Sequence, residues 1–148
     1  MKKLLLLASS VILSATLFAQ QAQQKKADDV IKFKDMTHDF GKIKQGVPVT
    51  YDFAFTNVSD APVIIESATP SCGCTTPVKP EGAIAKGKND KITAGFNAAA
   101  AGPFNKSITV KVAGIDLPVQ IRITGEVLTA EAYTQYQASK TTKPAGGR

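Results

Sequence analysis

The chain reads as an all-β protein, a two-sheet antiparallel sandwich of about seven strands. Two observations predict this. Apolar residues recur at every second position in short segments spaced roughly 8 to 15 residues apart, and Gly, Pro, Asn and Asp clusters punctuate the chain between them. No stretch between those clusters carries a convincing helical period. The length suits one ordinary domain, and its aliphatics and few aromatics can form a core without metals or multiple disulfides.

The chain opens with a segment of another kind. Lys2 and Lys3 precede an apolar run over residues 4–18, and Ala19 is a small residue at which a signal peptidase can cut, although Leu17 is larger than the ideal third residue before the cut. The run is too short to span a bilayer comfortably and reads as a bacterial secretory signal over residues 1–19. No cysteine follows the run to carry a lipid anchor, so the expected mature protein is soluble, periplasmic or extracellular, where thiols tend to oxidise. Without Lys2 and Lys3 the formal charge of +6 falls to +4. Residues 20–29 are polar, lack an apolar pattern and read as a flexible leader.

The sandwich is expected over residues 30–128. Val30, Ile31 and Phe33 begin a short extended segment, and Thr37 to Ile43 form a second, broken by Gly41, as where a first strand switches sheets at a bulge or glycine. Val49, Tyr51, Phe53 and Phe55 alternate with polar neighbours and place an aromatic face inward. Turn chemistry from Asn57 to Pro62 leads into the strand of Val63, Ile64 and Ile65, and that strand runs into Cys72-Gly73-Cys74. Residues 77–90 are rich in Pro, Gly and Lys and read as a loop with at most one short strand. Ile92, Ala94 and Phe96 alternate again. After an alanine-rich link, Ile108, Val110 and Val112 pair as a hairpin with Val119, Ile121, Ile123 and Val127 around Gly114. Residues 129–148 lose the pattern and read as a disordered basic tail with at most a helical turn near Tyr133.

Several motifs resemble one bacterial family. His38-Asp39-Phe40-Gly41, Phe55-Thr56-Asn57, Cys72-Gly73-Cys74-Thr75, the run from Gly102-Pro103-Phe104-Asn105 to Val110, and Gly125-Glu126-Val127 are similar to the pattern of domain of unknown function 1573. The resemblance covers about residues 37–127. It implies an exported protein of Bacteroidetes type, with an immunoglobulin-like sandwich similar to Hydin-type and major-sperm-protein-type domains, and it brings no established activity. Val112-Ala113-Gly114-Ile115 departs from the Ser-Asn or Thr-Asn turn expected there.

Cys72 and Cys74 are the chain's two cysteines. On a regular strand their Cα atoms would stand about 6.5 to 7 Å apart, at the limit for a disulfide, unless a turn at Gly73 shortens the distance. Three roles stay open: a structural pair, a bond used in disulfide exchange or covalent partner contact, or two thiolates for a soft ion such as copper(I), with His38 as a third ligand if the fold brings it near. Zinc would need more Cys and His in one cluster.

Enzymatic signatures are absent from the sequence. His38 beside Asp39 has no nucleophile context, and no Gly-x-Ser-x-Gly, His-Glu-x-x-His or phosphate-cradling glycine loop occurs. Lys79, Lys86, Lys88 and Lys91 could face an anionic lipid head group or wall polymer, but aromatic residues are not interleaved with them as a nucleic-acid surface would require. The expectation is a non-enzymatic exported module that binds an envelope protein or wall component. Cys72, Gly73, Cys74, Thr75, Thr76 and Lys79 would lie at the contact edge. The alternative is a thiol-active protein, with copper as the one candidate cofactor.

Overall fold

The computed structural model describes residues 24–141. The expected signal segment with its cut at Ala19, residues 20–23 of the leader and residues 142–148 of the tail lie outside the described residues. In chain order the strands are β1 (Ile31–Phe33), β2 (Thr37–Lys44), β3 (Val49–Asn57), β4 (Val63–Pro70), β5 (Thr75–Val78), β6 (Ala83–Ile84), β7 (Asn89–Phe96), β8 (Gly102–Val112) and β9 (Val119–Leu128). A helix, α1 (Ala130–Thr141), follows them.

The strands form two facing sheets, ordered β1-β3-β7-β5 and β2-β9-β8-β4-β6. Period two does the work. Phe53 and Phe55 of β3, Ile92, Ala94 and Phe96 of β7, Ile108, Val110 and Val112 of β8, and Val119, Ile121, Ile123 and Val127 of β9 all turn inward and are buried. Ile64, on the outward side of β4, is exposed between buried Val63 and Ile65. Each well-buried large apolar side chain contributes about 2 kcal/mol, so the interleaved layer stabilises the sandwich without any crosslink.

The described residues form nine strands where the sequence reading expected about seven. The two extra strands are β5 and β6, which lie at sheet edges and are too short for an alternating signal, with Pro77 inside β5. The sandwich is also not wholly antiparallel. β2 pairs in parallel with β9, from Thr37 opposite Arg122 to Lys44 opposite Leu128. The chain leaves β1 and crosses to the other sheet over residues 34–36, where β2 runs beside β9 in the same direction. Gly41 marks a bulge inside β2 and is not the crossing point: the register shifts between Asp39 and Lys42, Gly41 has φ +65°, and its N–H donates to Asp39 Oδ1 at 2.9 Å.

The described part of each flank is more ordered than expected. Ala27–Asp29 form a 3-10 turn rather than flexible leader; Ala27 is buried and its N–H donates to Leu117 O at 2.8 Å. Where a disordered tail was expected, α1 runs for 12 residues. Its side chains are not buried, and it rests on β2 through Tyr136, whose ring lies 5.3 Å from Lys42 Nζ. A helix held by such contacts leaves no apolar period in the sequence.

Candidate functional site

The Cys72-Gly73-Cys74 turn carries the chain from β4 in one sheet to β5 at the edge of the other. It is a corner of the sandwich. Cys72 and Cys74 are joined by a disulfide with Cα atoms 5.3 Å apart, closer than a regular strand would place them. The shortening comes from a local turn in which the Thr75 N–H donates to Cys72 O at 3.3 Å. Neighbouring strands hold both ends of this turn. The Ser71 N–H donates to Ser107 O at 2.8 Å, the Ser107 N–H donates to Ser71 Oγ at 3.1 Å, and the Asn97 N–H donates to Cys74 O at 3.1 Å.

The turn's side chains divide between core and surface. Thr75 is buried, and its Oγ1 lies 3.6 Å from Cys72 Sγ. Cys74 is half-buried and packs against the core beside Phe96 and Phe104, whose rings stack with centroids 4.1 Å apart. A cleft of about 200 Å³ opens there, lined by Cys74, Phe96, Ala100, Pro103, Phe104 and Lys106. Thr76 and Gly73 are exposed and Lys79 is half-buried, while Val78 presents an apolar side chain at 65% exposure.

His38 does not join the cysteines as a third ligand. It lies on β2, which β9 and β8 separate from β4, a distance of about 14 Å at the usual strand spacing. Its ring stacks on Tyr51 at 3.5 Å and meets Phe40 edge-on at 4.6 Å, so it helps close the side of the sandwich. Tyr51 in turn donates its hydroxyl to Asp35 Oδ2 at 3.2 Å; burial first, then the Asp35 charge, raises its pKa above the ordinary phenol value. Among the described residues no group of three His, Cys, Asp or Glu could hold a metal ion. The bonded sulfurs offer copper(I) no thiolate until they are reduced.

The loop lysines are partly spoken for. Lys86 pairs with Asp60 and Lys91 with Asp52, which reduces the basic surface available to an anionic polymer. The turn chemistry expected from Asn57 to Pro62 is present, with Asn57 bonded to Ser59 and Ala61, but sequence reasoning missed its bond to Ile84. The Asn57 amide is fully buried, so its place in an Asn-x-Ser sequon has no bearing on the surface.

The fold and this corner define a class: an immunoglobulin-like β-sandwich whose two sheets are joined at one end through a Cys-Gly-Cys disulfide turn. The chain belongs to the family described as a protein of unknown function (DUF1573), whose profile matches residues 31–127. No curated protein matches it. Among solved structures, the ASH / PapD-like domain of human CEP192 (PapD-like domain 7) is 10% identical, with 68% of this chain and 86% of that one covered and a TM-score of 0.55. A protein of unknown function from Porphyromonas gingivalis W83 is 17% identical over 76% of this chain and 51% of that one, at a TM-score of 0.57. The VesB protease of Vibrio cholerae is 16% identical over 69% of this chain and 33% of the protease, at a TM-score of 0.53. These identities show a shared fold alone, and this chain spans about half of the Porphyromonas protein and a third of the protease. No helix among the described residues is long and apolar enough to cross a membrane.

Proposed function

We propose that this protein is a non-enzymatic interaction module, exported to the bacterial envelope, which binds a protein partner through the disulfide-bearing end of the sandwich. The observation that carries the reading is the exposed surface running from the Cys72–Cys74 turn through Thr76 to Val78, next to the cleft beside Cys74. Sandwiches of this kind bind through end loops and strand edges, and the turn, the cleft beside Cys74 and Val78 lie together on such an edge.

Strand addition at that edge is disfavoured. The bond from the Asn97 N–H to Cys74 O fixes the alternation, so the main-chain groups of Thr76 and Val78 bond to β7 while those of Thr75 and Pro77 point away from it. The Thr75 N–H is already given to Cys72 O and Pro77 has none, leaving an edge of carbonyl groups. Contact by side chains of the turn and of β5 is therefore the mechanism supported. The test is crosslinking in envelope extract with the wild-type chain and Val78→Asp. A partner whose crosslinks map to residues 71–79 and weaken at least about tenfold in the variant supports the reading. Capture no better than control, or crosslinks confined to the opposite end, overturns it.

A further inference from the structure

We propose that the Cys72–Cys74 bond is an exchangeable disulfide, opened by attack of a dithiol on Cys74 Sγ. The proposal stands apart from the interaction reading, because its test requires no binding partner. Four observations carry it.

The bond closes a ring around Gly73 alone, and loop closure of that length contributes only about 1.6 kcal/mol, against about 3 kcal/mol for a 15-residue loop. Hydrogen bonds to Ser107 and Asn97 hold the turn independently, so opening the bond leaves both thiols poised to close again. Access is open: both cysteines are half-buried and Gly73 between them is exposed.

The surroundings of the two sulfurs differ. Cys74 lines the cleft together with Lys106, a cation that draws an incoming thiolate. Cys72 Sγ has the Thr75 hydroxyl 3.6 Å away, a donor for a departing thiolate. Attack from the cleft therefore forms a bond from the reductant's sulfur to Cys74 Sγ. The Cys72–Cys74 bond breaks, and its electron pair leaves with Cys72 as the thiolate beside Thr75. The reductant's second thiolate then attacks its own sulfur in the mixed disulfide and releases Cys74 as a thiolate. The reductant ends as a disulfide, having lost two electrons, and its two thiol protons pass to Cys72 and Cys74.

The test uses the intact chain with dithiothreitol, then glutathione, as probes. Under native conditions dithiothreitol should open the bond, read as two alkylations by intact mass, while the circular dichroism spectrum stays that of the folded protein. Glutathione mixed disulfides quenched with acid and sequenced by mass spectrometry should lie on Cys74 over Cys72 by about tenfold. The Lys106→Gln protein should form them several times more slowly with its unfolding midpoint kept. A bond that opens only as the chain unfolds overturns the proposal. Equal capture on the two sulfurs, or more on Cys72, overturns the assignment of Cys74.

Discussion

Asn57 has no exposed surface, and its side chain is satisfied entirely by protein groups. Its Nδ2 donates to Ala61 O and Ile84 O, each at 2.9 Å, and its Oδ1 accepts from the Ser59 N–H at 2.9 Å and the Ser59 hydroxyl at 2.7 Å. It thereby fastens the end of β3 to the turn before β4 and to β6. Asn57→Ala takes this partner from the buried Ile84 carbonyl and should cost about 2 kcal/mol, read as a lower urea midpoint at unchanged slope. The bond to Ile84 was not legible in the sequence, because its partner lies across a loop without an alternating pattern. Glycines at two motif positions offer a second contrast. At Gly125, with φ +154°, a Cβ would meet the Phe104 ring at 2.7 Å and Gly41 O at 2.8 Å, whereas at Gly73 it would meet nothing within 4 Å. Gly125→Ala should therefore destabilise by about 1–3 kcal/mol in the same titration, and Gly73→Ala by less than about 0.5 kcal/mol.

At the scale of elements, β3 and β7 are pinned across their outer face by Asp52. Its carboxylate accepts from Lys91 Nζ and from the Thr93 hydroxyl, and these bonds, Lys91's first, hold its pKa below the ordinary carboxylate value. A lowered pKa in the folded state means that the stabilisation is present above the unfolded pKa and disappears as pH falls through the folded one. The urea midpoint of the wild type should thus decline between about pH 5 and pH 2 more steeply than that of Asp52→Asn, which has no carboxylate to protonate. Identical slopes would show that this cross-strand cluster contributes nothing. Both strands were legible in the sequence, since Phe53 and Phe55 of β3 and Ile92 and Ala94 of β7 turn inward by strict alternation, with Phe53 paired to Ile92. Where alternation fails, so did the reading. Pro77 and the shortness of Ala83–Ile84 concealed β5 and β6, and α1, with no buried residue, has no apolar stripe to betray it. At the corner, residue spacing identified Cys72 and Cys74 as a unit, but their bond depended on a turn geometry that spacing alone does not determine.

The whole molecule is assembled by pairings remote in sequence, such as Thr37 with Arg122 in β2 and β9 and Val49 with Phe96 in β3 and β7. Chain entropy must be lost before those contacts form, so refolding should take about milliseconds to seconds, as in other sandwiches. The disulfide does little to shorten that search, because Cys72 and Cys74 are neighbours in the unfolded chain too. It joins the sheets at a corner already held by the Ser71–Ser107 hydrogen bonds and by the Phe96–Phe104 stack. Cys72→Ser/Cys74→Ser should accordingly fold to the same sandwich, lose no more than about 1.6 kcal/mol and keep one cooperative transition. Its refolding rate, followed by stopped-flow circular dichroism after a jump out of urea, should stay within about threefold of the wild type. A tenfold slower rate would mean instead that the corner belongs to the folding nucleus, with β4 and β5 placed on their two sheets through the closed turn before the long-range pairs form.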